Sequence, residues 1–174
     1  MKNDTRDVAF IEGYAPGIIG RVVELHGRYY SHEWGVGAEF ESLMAREICD
    51  FVDHYDPDRE LLLSAAVRGS VVGSIAILRP DVEEDAARLR WFVLDPAYQG
   101  HGIGSEMLLR ALLFARERYR TCYLWTVAGL PASMHLYEKL GFTVVQHETD
   151  KRYGAELKSV RMVLDLQRAN ALAE

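Results

Sequence analysis

The sequence predicts an α/β fold: one mixed sheet of about seven strands with helices on its faces. Two observations lead there. Apolar stretches of strand and helix period follow one another in the order β, α, α, β, β, β, α, β, α, β, β. Some neighbouring strands are close enough to form hairpins, while others are separated by a helix. Antiparallel and parallel pairings must therefore share one sheet. Neither an internal repeat nor a low-complexity segment interrupts the pattern. At 174 residues, the chain reads as a single domain over 1–174, long enough for a real core.

Val8 to Tyr14 is the first strand, stopped by Pro16-Gly17. Ile18 to Tyr30 is a helix with Ile18, Val22, Leu25 and Tyr29 on one face. Ser31 to Gly37 reads as a loop because of Gly35 and Gly37. Glu39 to His54 is a second helix, its period given by Phe40, Leu43, Met44, Glu47, Ile48 and Phe51. Leu61 to Val67 and Val71 to Leu78 form a hairpin around Arg68-Gly69-Ser70. Arg79 to Asp85 is a charged connection. Leu89 to Leu94 is an apolar, β-prone run that Asp95-Pro96 stops, since proline lacks the N–H a ladder needs. A helix follows from Ile103 to about Tyr119, then a strand from Thr121 to Val127. Pro131 to Leu140 is a short helix, with proline near its first position and Gly141 just past its end. Phe142 to Glu148 and Ser159 to Leu166 close the chain as a pair of strands.

The net charge is −6 and no basic block stands out, which argues against a nucleic-acid surface. No apolar run approaches a membrane span, and the polar start Met1 to Asp7 has no secretory h-region. The expected location is therefore cytoplasmic, without a membrane partner. Cys49 and Cys122 show neither metal nor disulfide spacing and read as core residues. The histidines His26, His54, His135 and His147 form no ligand spacing, so no metal is expected, and they read as structural or exposed.

The chemistry concentrates in Gln99-Gly100-His101-Gly102-Ile103-Gly104-Ser105, between a strand and a helix. A helix start offers free N–H groups and the positive end of the helix dipole. Glycines let a ligand approach the backbone closely. The combination makes a pyrophosphate cradle. It is not a dinucleotide fingerprint, because Ser105 stands where the third glycine belongs, nor a P-loop, because no lysine is near.

Gln-Gly-His-Gly-Ile-Gly resembles the Q/R-x-x-G-x-G/A signature of the GNAT superfamily of N-acetyltransferases. Leu94-Asp-Pro96 is similar to that family's V-x-P strand end, and Leu136-Tyr-Glu-Lys-Leu-Gly-Phe142 to its second motif, in the usual order and spacing. The resemblance implies a GNAT-like, mostly antiparallel sheet with helices on both faces, and acetyl-CoA as cosubstrate. It implies that Phe92, Val93 and Leu94 carry the pantetheine arm on a strand splayed from its neighbour. Gln99, Gly100, His101, Gly102, Ile103, Gly104 and Ser105 would then take the pyrophosphate. The segment His26 to Phe51 and the run Gly129 to Tyr137 also resemble the acetyltransferase domain of MarR-GNAT fusions, of which this chain would be a stand-alone version.

Acetyl transfer needs a neutral amine and a stabilised leaving thiolate. By family resemblance Tyr137 is the general acid; a tyrosine that only packs is the competing reading. The family often has an asparagine seven residues before this tyrosine, where Leu130 stands here, so Ser133 is the candidate replacement contact. Glu33 is the candidate base, with His32, Trp34, Tyr29 and Tyr30 as possible pocket neighbours; a solvated carboxylate is the alternative. Arg90 and Trp125 are candidates for the pocket wall. The expected reaction is direct transfer to a primary amine of a small molecule or peptide, in a monomer or homodimer. The rival function is a non-catalytic coenzyme A binder or sensor.

Overall fold

The computed structural model describes residues 8–80, 85–151 and 155–169. Met1 to Asp7 and most of the charged connection from Arg79 to Asp85 lie outside the described residues. The elements are β1 (Val8–Glu12), α1 (Ile18–Trp34), α2 (Ala38–Asp53), β2 (Leu61–Val67), β3 (Ser70–Leu78), β4 (Ala86–Leu94), α3 (Ile103–Arg116), β5 (Thr121–Val127), α4 (Pro131–Lys139), β6 (Thr143–Asp150) and β7 (Leu157–Asp165). The strands form one sheet in the order β1-β2-β3-β4-β5-β7-β6. Every pairing is antiparallel except β4 with β5.

The sheet is covered on both faces, which explains the unbroken apolar run of β2. Leu61, Leu63 and Ala65 join the core under α3 and α4, together with Met107, Leu108, Ala111 and Tyr137. Leu62 points the other way, into the core under α1 and α2, with Ile18, Val22, Phe40 and Ile48. The hairpin between β2 and β3 turns on Arg68 and Gly69, both with positive φ (51° and 79°). That is the primed-turn geometry that matches strand twist.

Several element ends shift by a few residues from the sequence reading, and two departures matter most, at the end of α1 and at Cys49. Helix α1 continues through Ser31, His32, Glu33 and Trp34, because none of them breaks a helix. It stops at Gly35, which takes φ 66° and donates its N–H to Ser31 O at 2.9 Å. Only the second half of the expected loop is loop. Cys49 is exposed on α2 rather than buried in the core; Cys122 is buried as expected.

The feature that the sequence pattern did not reveal is in β4. Ser74 pairs with Val93 and Ala76 with Arg90, so β4 carries one residue more than β3 between those pairs. This is a β-bulge. Trp91 marks it with a left-handed φ of 48°. Ser74 Oγ donates to the displaced Trp91 carbonyl at 2.8 Å. Upstream, Ala87 and Leu89 face the α3 core. Without the bulge Trp91 would follow them; instead it faces α1 and α2, and Phe92 and Leu94 take the α3 side.

Two glycines test this packing from opposite sides. A Cβ on Gly73 would lie 2.9 Å from Val93 O and 3.3 Å from Met107 Sδ. Gly20, exposed in α1 with nothing within 4 Å of its Cβ direction, has room. Gly73→Ala is expected to cost about 1–3 kcal/mol through overpacking, and Gly20→Ala to gain up to about 1 kcal/mol through helix propensity. Urea denaturation of both variants checks the pair.

Candidate acyltransfer site

Strands β4 and β5 pair only from Ala86–Thr121 to Leu89–Leu124. Beyond that, β4 stays on β3 while Trp125, Thr126 and Val127 of β5 stay on β7. A gap opens between the two strands at the centre of the sheet. Asp95 N–H donates toward β3, to Val72 O at 2.8 Å. Since amide direction alternates along a strand, the N–H groups of Leu94 and Phe92 point into the gap. Gln99 Nε2 closes its far end by donating to Leu94 O at 3.1 Å.

The glycine loop sits at the end of β4, after a 3-10 turn over Pro96–Tyr98. Asp95 shapes that turn: its Oδ1 accepts from Ala97 N–H at 3.0 Å. Its Oδ2 accepts from Arg21 of α1 at 2.7 Å, and Arg21 Nε donates to Val71 O at 2.9 Å. Arg21 thereby ties α1, β3 and the loop entrance together. Gly102 caps α3 with φ 80° and has open space where a Cβ would be. The first intrahelical bond of α3 is Glu106 N–H to Gly102 O, 3.0 Å. The N–H groups of Ile103, Gly104 and Ser105 therefore have no intrahelical acceptor and face outward at the positive helix end. Gly104 lies under the strand, with a Cβ position 3.6 Å from Phe92 Cζ.

Tyr137, on α4, is 5% exposed and packs beside Phe92 of β4. Its ring centre is 6.3 Å from Phe92 and 5.6 Å from Phe142, edge-on to the latter. Leu136 and Leu140 are half-buried and pack against the same core that Tyr137 joins. Burial pushes its phenol well above the usual tyrosine range, with smaller contributions from Tyr30 and Cys122. It is therefore fully protonated at neutral pH. Ser133 lies one turn earlier, half-buried, and Leu130 packs into the α1–α2 core.

On the α1–α2 side of the gap lies a cavity of ≈ 250 Å³. Its walls include His26 and Tyr30 of α1, Phe40 and Glu47 of α2, Arg88, Arg90 and Trp91 of β4, and Trp125 of β5. Glu148 and Asp150 of β6 complete it. The arrangement is thus a backbone-lined slot, a glycine turn at a helix start and a buried phenol, with a small polar cavity at the other mouth.

The acetyltransferase (GNAT) family model matches residues 19–142. This chain belongs to the GNAT family of acetyltransferases. It is 30% identical over 125 residues to N-acetylaspartate synthetase of Xenopus tropicalis, covering 69% of this chain and 46% of that protein. The matched region spans about half the length of the first curated relatives. Among solved structures, yncA of Salmonella typhimurium with its cofactor acetyl-CoA superposes with TM-score 0.73 at 17% identity, covering 92% and 94% of the two chains. Spermidine N-acetyltransferase of Vibrio cholerae, in complex with CoA and spermine, gives 0.69 at 17% identity over 93% and 97%.

Within this GNAT fold the sequence-predicted residues divide cleanly. Phe92, Val93 and Leu94 lie along the slot, Gln99 to Ser105 form the turn and helix start beyond its end, and Tyr137 packs beside Phe92 on the α3 face. Arg90 and Trp125 line the cavity. Glu33 does not: it stands exposed on the last turn of α1, with Oε1 2.9 Å from His32 Nδ1. The carboxylates in the cavity wall are Glu47, Glu148 and Asp150. His101 is exposed, its Nδ1 3.4 Å from Tyr98 O.

Sequence reasoning missed His26. Its ring is 7% exposed and lines the cavity. Nδ1 lies 2.8 Å from Val22 O, which can only accept, so Nδ1 carries the proton and Nε2 the lone pair. Burial, with Arg90 assisting, lowers its pKa to about 4. No spacing rule marks such a residue, since its partner is a carbonyl one turn back. The depressed pKa has a consequence for stability. Below the unfolded value near 6.5 the unfolded chain binds a proton that the folded chain refuses until about pH 4. Stability should thus fall with pH across that window, by about 2 kcal/mol between pH 8 and pH 5. Urea midpoints at both pH values should show a smaller drop in His26→Gln than in the wild type.

Proposed function

We propose that this protein transfers an acetyl group from acetyl-CoA to a primary amine of a small molecule, by direct attack within a ternary complex. The observation that carries the reading is the convergence of slot, glycine cradle and Tyr137 on one gap in the sheet. The N–H groups of Phe92 and Leu94 would hold the pantetheine arm. Those of Ile103, Gly104 and Ser105 would hold the pyrophosphate, in space that any Cβ at Gly102 would enter. These donors are backbone groups, so they suit a polyanion despite the chain's negative charge. The cavity admits the amine from the opposite side. At ≈ 250 Å³ it lies below the usual range of ligand pockets, about 300–1,000 Å³, which favours a small acceptor.

The amine nitrogen bonds to the acetyl carbon, the carbon–sulfur bond breaks, and the amine sheds one proton. Tyr137 donates toward sulfur as charge develops there. Its raised pKa keeps the proton in place until that moment. The same shift makes full transfer to a thiolate of ordinary pKa, about 8.5, uphill. The proton shed by the amine therefore restores the balance, and Tyr137 acts mainly through its hydrogen bond.

Tyr137→Phe should lower kcat by about 100-fold, the low end for general acid catalysis, with the Michaelis constant for acetyl-CoA and the melting temperature nearly unchanged. Acceptor-dependent release of free thiol measures the rate. A wild-type kcat in the variant returns Tyr137 to packing. Tight coenzyme A binding without acceptor-dependent thiol from any amine would favour a sensor instead.

A further inference from the structure

The cavity's charges are sorted by strand. Arg88 and Arg90 come from β4, beside the slot; Glu148 and Asp150 come from β6, at the far wall. Arg90 is held with unusual care for a residue in a cavity wall. The bulge turns Arg90 and Trp91, consecutive in sequence, to the same face of the sheet. Arg90 Nη2 donates to Glu47 Oε2 of α2 at 2.6 Å. Its guanidinium carbon sits 4.9 Å from the centre of the Trp91 ring. Ion pair and ring together fix the plane of the fork. Yet only Nη2 is engaged: Nε and Nη1 have no acceptor among the described residues, and the side chain is 19% exposed. A half-satisfied, immobilised guanidinium at a cavity wall is a recognition element for a planar anion.

We propose that the acceptor is an amino-acid-type molecule, whose carboxylate is bound by Arg90 with Glu47 as the positioning residue that orients the fork. This rests on the acetyl-transfer reading above and narrows its substrate class. The carboxylate, not a phosphate, fits the charge of the site. Glu47, Glu148 and Asp150 share the wall with the two arginines, which suits a monoanion better than a dianion. A polyamine fits worse: it would bring several ammonium groups against Arg88 and Arg90. A zwitterion meets both walls, with its anion toward β4 and its cation toward the carboxylates of β6.

The test is a panel of matched acceptors with acetyl-CoA, read as thiol release and as product mass. Each pair is an amino acid and the amine left when its carboxylate is removed, such as phenylalanine with phenethylamine and leucine with 3-methylbutylamine. Free aspartate, phosphoethanolamine and spermidine complete the panel. The expected result is at least one amino acid with kcat/KM tenfold or more above its carboxylate-free partner. Arg90→Gln should lower kcat/KM for that amino acid about 100-fold, mostly through KM, and erase the preference within the pair. Arg90→Lys, which keeps a charge opposite Glu47 but lacks the fork, should also lose the preference while retaining the wild-type melting temperature. Both variants should still be stabilised thermally by coenzyme A, which separates this proposal from the reading beneath it. Amines acetylated without regard to a carboxylate would overturn the proposal and leave acetyl transfer standing. So would a preference for phosphoethanolamine or spermidine, a preference that survives both substitutions, or coenzyme A binding with no amino acid acetylated. Absence of both coenzyme A stabilisation and thiol release would overturn the acetyl-transfer reading itself.

Discussion

At Trp91 the backbone of β4 takes a left-handed turn, and both mouths of the site depend on it. A bulky residue in that conformation costs on the order of 1–3 kcal/mol. Two local contacts offset part of that cost, although the indole N–H is buried without a partner among the described residues. Ser74 satisfies the displaced carbonyl, and the indole is 5% exposed, edge-on to Phe51 at 5.2 Å. The extra residue reverses the alternation of β4. Arg90 and Trp91 face the cavity, while Phe92 and Leu94 face α3 and Tyr137. A regular strand would put Trp91 under α3 and turn Phe92 away from the phenol. Which side chains face the cavity and which face α3 is thus set by a single insertion.

The gap itself follows from where hydrogen bonding stops. Parallel pairing of β4 and β5 ends at Leu89–Leu124, and each strand keeps its partner on the other side. That leaves the gap-facing amides of β4 beyond the ladder without a strand partner among the described residues. Buried amides without acceptors are costly, so a slot of this kind favours an extended ligand with carbonyl groups. The helix start at Gly102 adds the N–H groups of Ile103, Gly104 and Ser105, which have no intrahelical acceptor. Arg21 and Asp95 hold the strand end and the loop in register with α1.

Much of this was legible in the residues, because the relevant signals are local. The glycine spacing from Gly100 to Gly104, the Asp95-Pro96 stop and the Tyr137 motif each mark a backbone event that their own neighbours determine. The strand count and all four helices follow from periodicity for the same reason. What escaped was non-local. The bulge exists only in the pairing of β4 with β3, and an apolar run reads the same with or without it. His26 is placed by α1 packing on the sheet, and its proton is set by a backbone carbonyl. Glu33 sits on the last turn of α1 because only Gly35 ends that helix, which the glycine spacing by itself does not distinguish from a longer loop. The cavity carboxylates Glu148 and Asp150 lie at the end of an edge strand, far in sequence from the motifs.

The central claim is that backbone amides at one gap in the sheet, rather than side chains, bind the acyl donor. The most direct measurement is residue-resolved amide hydrogen exchange with and without desulfo-coenzyme A, which lacks the reactive sulfur. The account predicts slowed exchange at Phe92 and Leu94 and at Ile103, Gly104 and Ser105, with β1 and β2 unchanged. Protection confined to other segments, or absent from both the strand and the helix start at saturating ligand, would contradict it.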